Sequence, residues 1–291
     1  MTTRRQFLQA GLFAAAAAAL PGQSLFAQTG QKKMTLGMQL WTLRQFDLHE
    51  RIVKTREAGI KEVEISGGIN KAGDPGKRAV SLNTDERKKL LSVFTDNGVR
   101  AISLGGSQGT PEDFDFAKEL GLQFLQGEPP VEKLVEVSKR AEEYGIRFAL
   151  HNHAFDSRYW DYKETWKRVQ DCAPALGICP DTGHFIRSGF NPIEVVRAFK
   201  GRMVSVHLKD LNGVVQLKDV EDMAPAERKK LQGGLRDVAW GTGEGQTEAV
   251  LKELIDQGFV GPVIVEYDHI YEDGNVADIK TCAEFFRTVV G

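Results

Sequence analysis

Eight short apolar runs alternate with segments of helical period from Met34 to the C-terminus of the 291-residue chain, and ligand-type polar side chains gather where the runs end. Those features, over a length that suits one large domain, predict an α/β fold closed into a (β/α)8 TIM barrel. The runs are TLGMQL (35–40), EVEIS (62–66), RAISL (100–104), QFLQ (123–126), RFALHN (147–152), LGICP (176–180), MVSVHL (203–208) and VIVE (263–266). Amphipathic stretches lie between them, such as TDERKKLLSVFTDNG (84–98) and VEKLVEVSKRAEEYG (131–145). Gly59, Gly98, Gly121, Gly145 and Gly258 stand where helices should close before the next run, a position that favours left-handed backbone. No GxGxxG follows the first run, so a dinucleotide-binding open sheet loses its main support.

The organisation expected is a signal segment over 1–27, a short linker over 28–33 and one barrel over 34–291. The long departure from the repeat, 211–247, holds the charged stretch DMAPAERKKLQ and then WGTGEGQ. No Gly-Lys-Ser/Thr follows those glycines, so they read as a turn rather than a phosphate loop. A long loop on this face of a barrel belongs to the active site or to an assembly contact, which leaves a homo-oligomer open.

At the N-terminus, Arg4-Arg5 precede Phe7-Leu8 and an Ala-rich apolar run, and Ala27 offers a small residue for cleavage. The pattern resembles a twin-arginine signal, which implies recognition by the twin-arginine export machinery and a periplasmic protein. The run is too short and Ala-rich for a stable membrane span. Formal charge is −2 overall and, without Arg4 and Arg5, −4. A mildly acidic chain has no electrostatic reason to bind nucleic acid, so a small molecule is the expected partner. Cys172, Cys179 and Cys282 are odd in number and form no CxxC, which argues against a disulfide framework; Cys179 reads as a small buried hydrophobe.

Catalytic groups of a (β/α)8 barrel sit at the C-terminal ends of its strands. Here the second run carries Glu64, the fifth ends in HNHAFD, the sixth passes into PDTGHF, the seventh ends in HLKD and the eighth in VEYDH. Five of six histidines, all but His49, fall at or just beyond strand ends. Side chains two apart on a strand share a face. His151 and His153 can therefore both point inward, as can His207 with Lys209 and Glu266 with Asp268, while Val204, Val206 and Leu208 face the helices. Carboxylates and imidazoles gathered at one barrel mouth call for a partner, and one divalent metal ion is the economical one. Mixed nitrogen and oxygen donors suit Mn, Zn, Co or Fe better than Mg. Glu64 either holds a substrate hydroxyl or pairs with a lysine. Trp41 and Gln39, at the end of the first strand, either line the pocket or fill the barrel.

The series LGMQLWTLR, GIKEVEISGG, LHNHAFD, PDTGHFIRSG, VHLKD, WGTGEGQ and VIVEYD resembles the sugar phosphate isomerase/epimerase family over nearly all of 34–290. These are xylose isomerase-like barrels related to inosose dehydratases, ketose 3-epimerases and endonuclease IV. The resemblance implies one metal held by strands five to eight, at His151, Asp181, His207 and Glu266. It also places His184 and Lys209 at substrate-binding positions. Ketose 3-epimerases carry Glu on strand five and use it with the strand-eight Glu as a pair of proton-transfer bases; this chain has His-Asn-His there. The sequence leaves open which of His151 and His153 binds metal. His151 is the favoured ligand, with His153 free to move a proton.

The function expected is a metal-dependent isomerase or epimerase acting on a sugar or polyol through an enediolate, with Glu266, His153 and Lys209 as its catalytic groups. The alternatives are a metal-dependent lyase or dehydratase on a 3-keto sugar, glycoside or inosose, and a sugar-binding barrel without chemistry. Phosphodiester cleavage is disfavoured, because it needs several metals and a basic groove.

Overall fold

The computed structural model describes residues 33–69, 77–155 and 157–291. The signal segment expected over 1–27, and the linker up to residue 32, lie outside the described residues. Eight parallel strands make up the main sheet: β1 (Thr35–Gln39), β2 (Glu62–Ile65), β3 (Arg100–Leu104), β4 (Phe124–Gly127), β5 (Arg147–His151), β6 (Leu176–Cys179), β7 (Val206–Leu208) and β10 (Pro262–Val265). A two-stranded antiparallel ribbon, β8 (Asp210–Leu211) with β9 (Asp237–Val238), stands apart from it. The order β6-β5-β4-β3-β2-β1-β10-β7 leaves β6 and β7 at the edges, and the bridges Ile178↔Met203 and Asp181↔His207 bring those edges together. The predicted (β/α)8 barrel is therefore present, with each strand within one residue of expectation at either end except at the start of β7.

The strands hold Val, Ile and Leu on both faces because one face fills the barrel and the other meets helices. Phe124, Ala149, Cys179 and Ile264 form an interior floor together with Ile102 and Val204. The first four lie two residues before Gln126, His151, Asp181 and Glu266, so the inward parity of each strand carries straight from floor to mouth. Val204 corrects the sequence reading. The chain bends at Val204 and enters regular strand only at Val206, so the alternation restarts. Val206 and Leu208 join the outer core, whereas Val204 packs inside.

Helix starts follow from local chemistry. Asp47, Asn83 and Thr110 each cap a helix reciprocally with Glu50, Glu86 and Asp113. The five glycines expected at helix ends all have positive φ. The 211–247 segment contains the expected charged helix, Pro225–Gly234. Its glycine run wraps a buried carboxylate: Asp210 accepts from the backbone N–H of Gly241 (2.8 Å), Gly243 (3.1 Å) and Gly245 (2.7 Å). A Cβ at Gly245 would lie 2.8 Å from Asp210 Oδ1, so the close approach itself demands glycine there. All three cysteines are free and buried. Among the described residues, no helix is long and apolar enough to cross a membrane.

Candidate metal centre

The ends of β5, β6, β7 and β10 bring four of the expected residues together. His151, Asp181, His207 and Glu266 are all buried, and one donor atom from each lies within 4.8 Å of the others. Asp181 is placed twice over. It follows β6, where its Oδ1 accepts from His184 N at 2.9 Å and so caps the helix Thr182–Arg187; Oδ2 is left to lie 2.9 Å from Lys209 Nζ. His207 Nδ1 lies 2.8 Å from Glu266 Oε2, and its Nε2 is 2.9 Å from Glu64 Oε1. One ring nitrogen thus faces the donor set while the other meets a carboxylate, the arrangement that orients metal-binding imidazoles.

The electrostatics fit a cation. Burial lifts the Asp181 carboxyl to about 7, with Glu266 and Asp268 adding to the rise and Lys209 opposing it. A carboxyl in that condition is short of positive charge, which a divalent ion would supply. Burial holds His151 well below the ordinary imidazole range, helped by the neighbouring His207 and His153. It is therefore neutral, the form that ligates metal, and its buried Nδ1 has no hydrogen-bond partner. The donors present are those a divalent transition metal takes.

A cavity of about 640 Å³ opens over this set, and Gln39, Trp41, His151, His153, Glu266 and Asp268 are among its lining residues. Trp41 is 43% exposed, with the Arg44 guanidinium 4.4 Å from its ring centre. Gln39 does both things the sequence left open. It lines the cavity and also bridges strands, donating to Glu64 Oε1 at 2.5 Å and accepting from Ser66 Oγ at 3.0 Å. Glu64 is wholly buried behind the wall, where its partners among the described residues are Gln39, Ser103 and His207, none of them a lysine. His184 and Lys209 also lie behind the wall. Lys209 is fully buried, its Nζ 2.9 Å from Asp181 and Asp268 and 3.2 Å from Glu266. His153 sits past the end of β5 at the mouth. Its side chain is half-exposed and its Nδ1 lies 3.0 Å from Glu128 Oε2.

Three groups escaped the sequence reading. Glu128 grips His153 through the ring and also accepts from its backbone N–H at 2.8 Å. Arg187 bonds Asp268 Oδ2 at 2.7 Å and Asp237 Oδ1 at 3.1 Å. Asp237 Oδ2 accepts from the backbone N–H of Asp268 and His269. Asp268 was legible as an inward neighbour of Glu266. Arg187 and Asp237 carried no signal, since the partners of Arg187 are 50 and 81 residues away and those of Asp237 are 31 to 50 away.

Known proteins share this architecture. An inosose dehydratase of Clostridium perfringens (strain 13 / Type A) is 27% identical over 186 residues, covering 62% of this chain and 61% of the relative. The chain spans at most 61% of the length of the curated relatives it matches. The crystal structure of IOLI protein with a binding zinc atom is 19% identical, with a TM-score of 0.66 over 88% of this chain and 98% of that one. D-psicose 3-epimerase from Clostridium cellulolyticum H10, solved with D-tagatose, is 16% identical, with a TM-score of 0.61 over 88% and 99%. At such identities the likeness to the two structures is one of fold. The model of the xylose isomerase-like TIM barrel family matches residues 52–289, and the chain belongs to that family.

Proposed function

We propose that the chain is a divalent-metal-dependent enzyme that takes the proton beside a carbonyl of a keto-polyol or keto-sugar and then expels water, a dehydratase of the lyase class. The observation that carries this reading is the unlike pair at the cavity, the Glu266 carboxylate and the His153 imidazole gripped by Glu128. The inosose dehydratases among the relatives support it. His151, Asp181, His207 and Glu266 would hold the ion, which when bound supplies Lewis-acid charge that lowers the cost of negative charge on a substrate carbonyl oxygen.

The chain's own groups do the proton work. Burial alone would favour neutral Glu266, but Lys209 and His207 hold it well below the usual carboxylate range, so it stays in the form that accepts a proton. With Oε2 engaged by His207 and Lys209, Oε1 is the oxygen left to take it. Partial burial disfavours a charged His153, but the hydrogen bond and charge of Glu128 outweigh that and raise its pKa. His153 then gives its proton to the departing hydroxyl, as a general acid should. Lys209, His184 and Glu64 act from behind the wall. Lys209 balances the carboxylates, His184 flanks it, and Glu64 fixes the His207 ring. Trp41 offers an aromatic face to the substrate.

Return of the proton, without loss of hydroxyl, would make the same site an isomerase or epimerase. Imidazoles where ketose 3-epimerases carry Glu favour elimination. Under this reading the chain is exported by the twin-arginine route, which favours an unphosphorylated substrate. The test is incubation of the Mn²⁺-loaded protein with a keto-inositol in deuterated water. A dehydrated product with deuterium at the carbon that lost its hydroxyl is expected. Exchange with an epimer would favour the second reading, and neither exchange nor product would overturn both. Glu64→Gln, which removes the carboxylate behind His207, should weaken divalent-metal binding about 10–100-fold by calorimetry.

A further inference from the structure

The opposite end of the barrel holds a smaller cavity, of about 200 Å³, which Arg147 and Gln257 line together with Gly201, Met203 and Gly258. Arg147 opens β5, two residues before Ala149 of the interior floor and four before His151. Its side chain therefore starts from the inward face, at the end of the strand away from the four-donor set. Four strand steps of roughly 3.3 Å put the two ends about 13 Å apart. Gly177 makes room for the guanidinium, since a Cβ there would lie 3.1 Å from Arg147 Nη2. Among the described residues Arg147 has no hydrogen-bond or ion-pair partner, and its Nε is buried.

The charge of Arg147 is uncompensated. Burial pushes its pKa down to about 10, and the neighbouring Arg202 adds to the fall. Arg202 engages its own donors with carbonyls, Leu176 O at 2.9 Å, Cys172 O at 2.8 Å and Ala173 O at 3.0 Å. A buried guanidinium without a counter-ion costs free energy that an anion would offset. Gln257 presents the opposite need. Its Nε2 donates to Val196 O at 3.2 Å and to Glu253 Oε1 at 3.0 Å, which fixes the amide and leaves a buried Oε1 with no partner. One cavity thus offers a forked cation and a lone acceptor.

We propose that this cavity binds a small oxyanion that also carries a hydroxyl, of the hydrogen phosphate kind. Arg147 holds the charged oxygens, and Gln257 Oε1 accepts from the hydroxyl. A guanidinium fork matches two oxygens on one phosphorus, which gives the contact direction as well as charge. The bound anion ties the start of β5 to the segment before β7, at Gly201 and Met203, and to the residues after the helix Thr247–Asp256. It therefore acts on stability and leaves the barrel mouth alone. The inference is independent of the metal and of the reaction proposed above.

Calorimetric titration of the full chain with sodium phosphate at neutral pH, beside thermal melting, tests the proposal. One bound equivalent is expected, with a melting temperature that climbs as phosphate is added. Arg147→Met should lose that binding yet melt no lower than the unmodified protein without phosphate, because it removes an uncompensated buried charge. Gln257→Glu, which places a carboxylate in the same cavity as Arg147, should lose it too. Sulfate carries no proton at neutral pH and cannot donate to Gln257, so it should bind roughly 10-fold or more weakly. Asp181→Asn, at the other end of the barrel, should bind phosphate as the unmodified protein does. Absence of phosphate binding, or binding kept by Arg147→Met, would overturn the site. Loss in Asp181→Asn would place the phosphate at the mouth and overturn it as well, and sulfate binding as tight as phosphate would overturn the role of Gln257.

Discussion

Asp181→Asn should cost the protein the ion at the four-donor position and, with it, more activity than the roughly 100-fold typical of losing a second-shell partner. The substitution separates the two tasks of this side chain. Asn keeps an oxygen for the cap on His184 N, and Asn caps helices as well as Asp does. What it removes is the charge on Oδ2, which faces Lys209 at 2.9 Å and joins the donor set with His151, His207 and Glu266. Lys209 retains Asp268 and Glu266, so no buried lysine is stranded. The expected outcome is an unchanged melting temperature without added metal, loss of one bound equivalent by calorimetry, and collapse of the turnover proposed above for a keto-inositol. Full turnover after chelation would contradict the metal-dependent mechanism.

Arg187→Met should be the most destabilising single change outside the donor set, at about 3–5 kcal/mol. Arg187 is buried against a buried Asp237, and its other arm bonds Asp268. It also donates from Nε and Nη2 to the carbonyl of Leu235, which ties the 211–247 insertion to the barrel. Burial already raises the Asp237 carboxyl, and Arg187 is the main group opposing that rise. Without the guanidinium, Asp237 must take a proton or remain an unpaired buried charge. Thermal and urea denaturation will read the loss, and Asp237→Asn added to Arg187→Met should recover part of it, because the two sites share one interaction. A change within the about 0.5 kcal/mol of ordinary surface substitutions would contradict the assignment.

The barrel was legible because each strand is short, apolar on both faces and closed by punctuation that local chemistry requires. The donor set was legible for a related reason. A strand alternates strictly, so His151, Asp181 and Glu266 inherit the inward parity of Ala149, Cys179 and Ile264 beneath them, and His207 lies between the outward Val206 and Leu208. That rule fails where the strand is irregular, as at Val204, whose bend restarts the alternation. It is also silent on depth. Nothing in the sequence separates Lys209, buried beneath the cavity, from His153, exposed at its mouth, although both stand two residues past an inward histidine. The Arg187–Asp237–Asp268 network and the Glu128 grip on His153 join segments far apart in the chain, and no local pattern announces such pairs.

Anomalous diffraction at the zinc edge, from crystals grown with Zn²⁺, tests the four-donor centre most directly. The predicted result is a peak with Asp181, His207 and Glu266 oxygen and nitrogen atoms, and one His151 nitrogen, at roughly 2.0–2.2 Å. Full zinc occupancy elsewhere on the protein, with no density between Asp181 and His207, would contradict it.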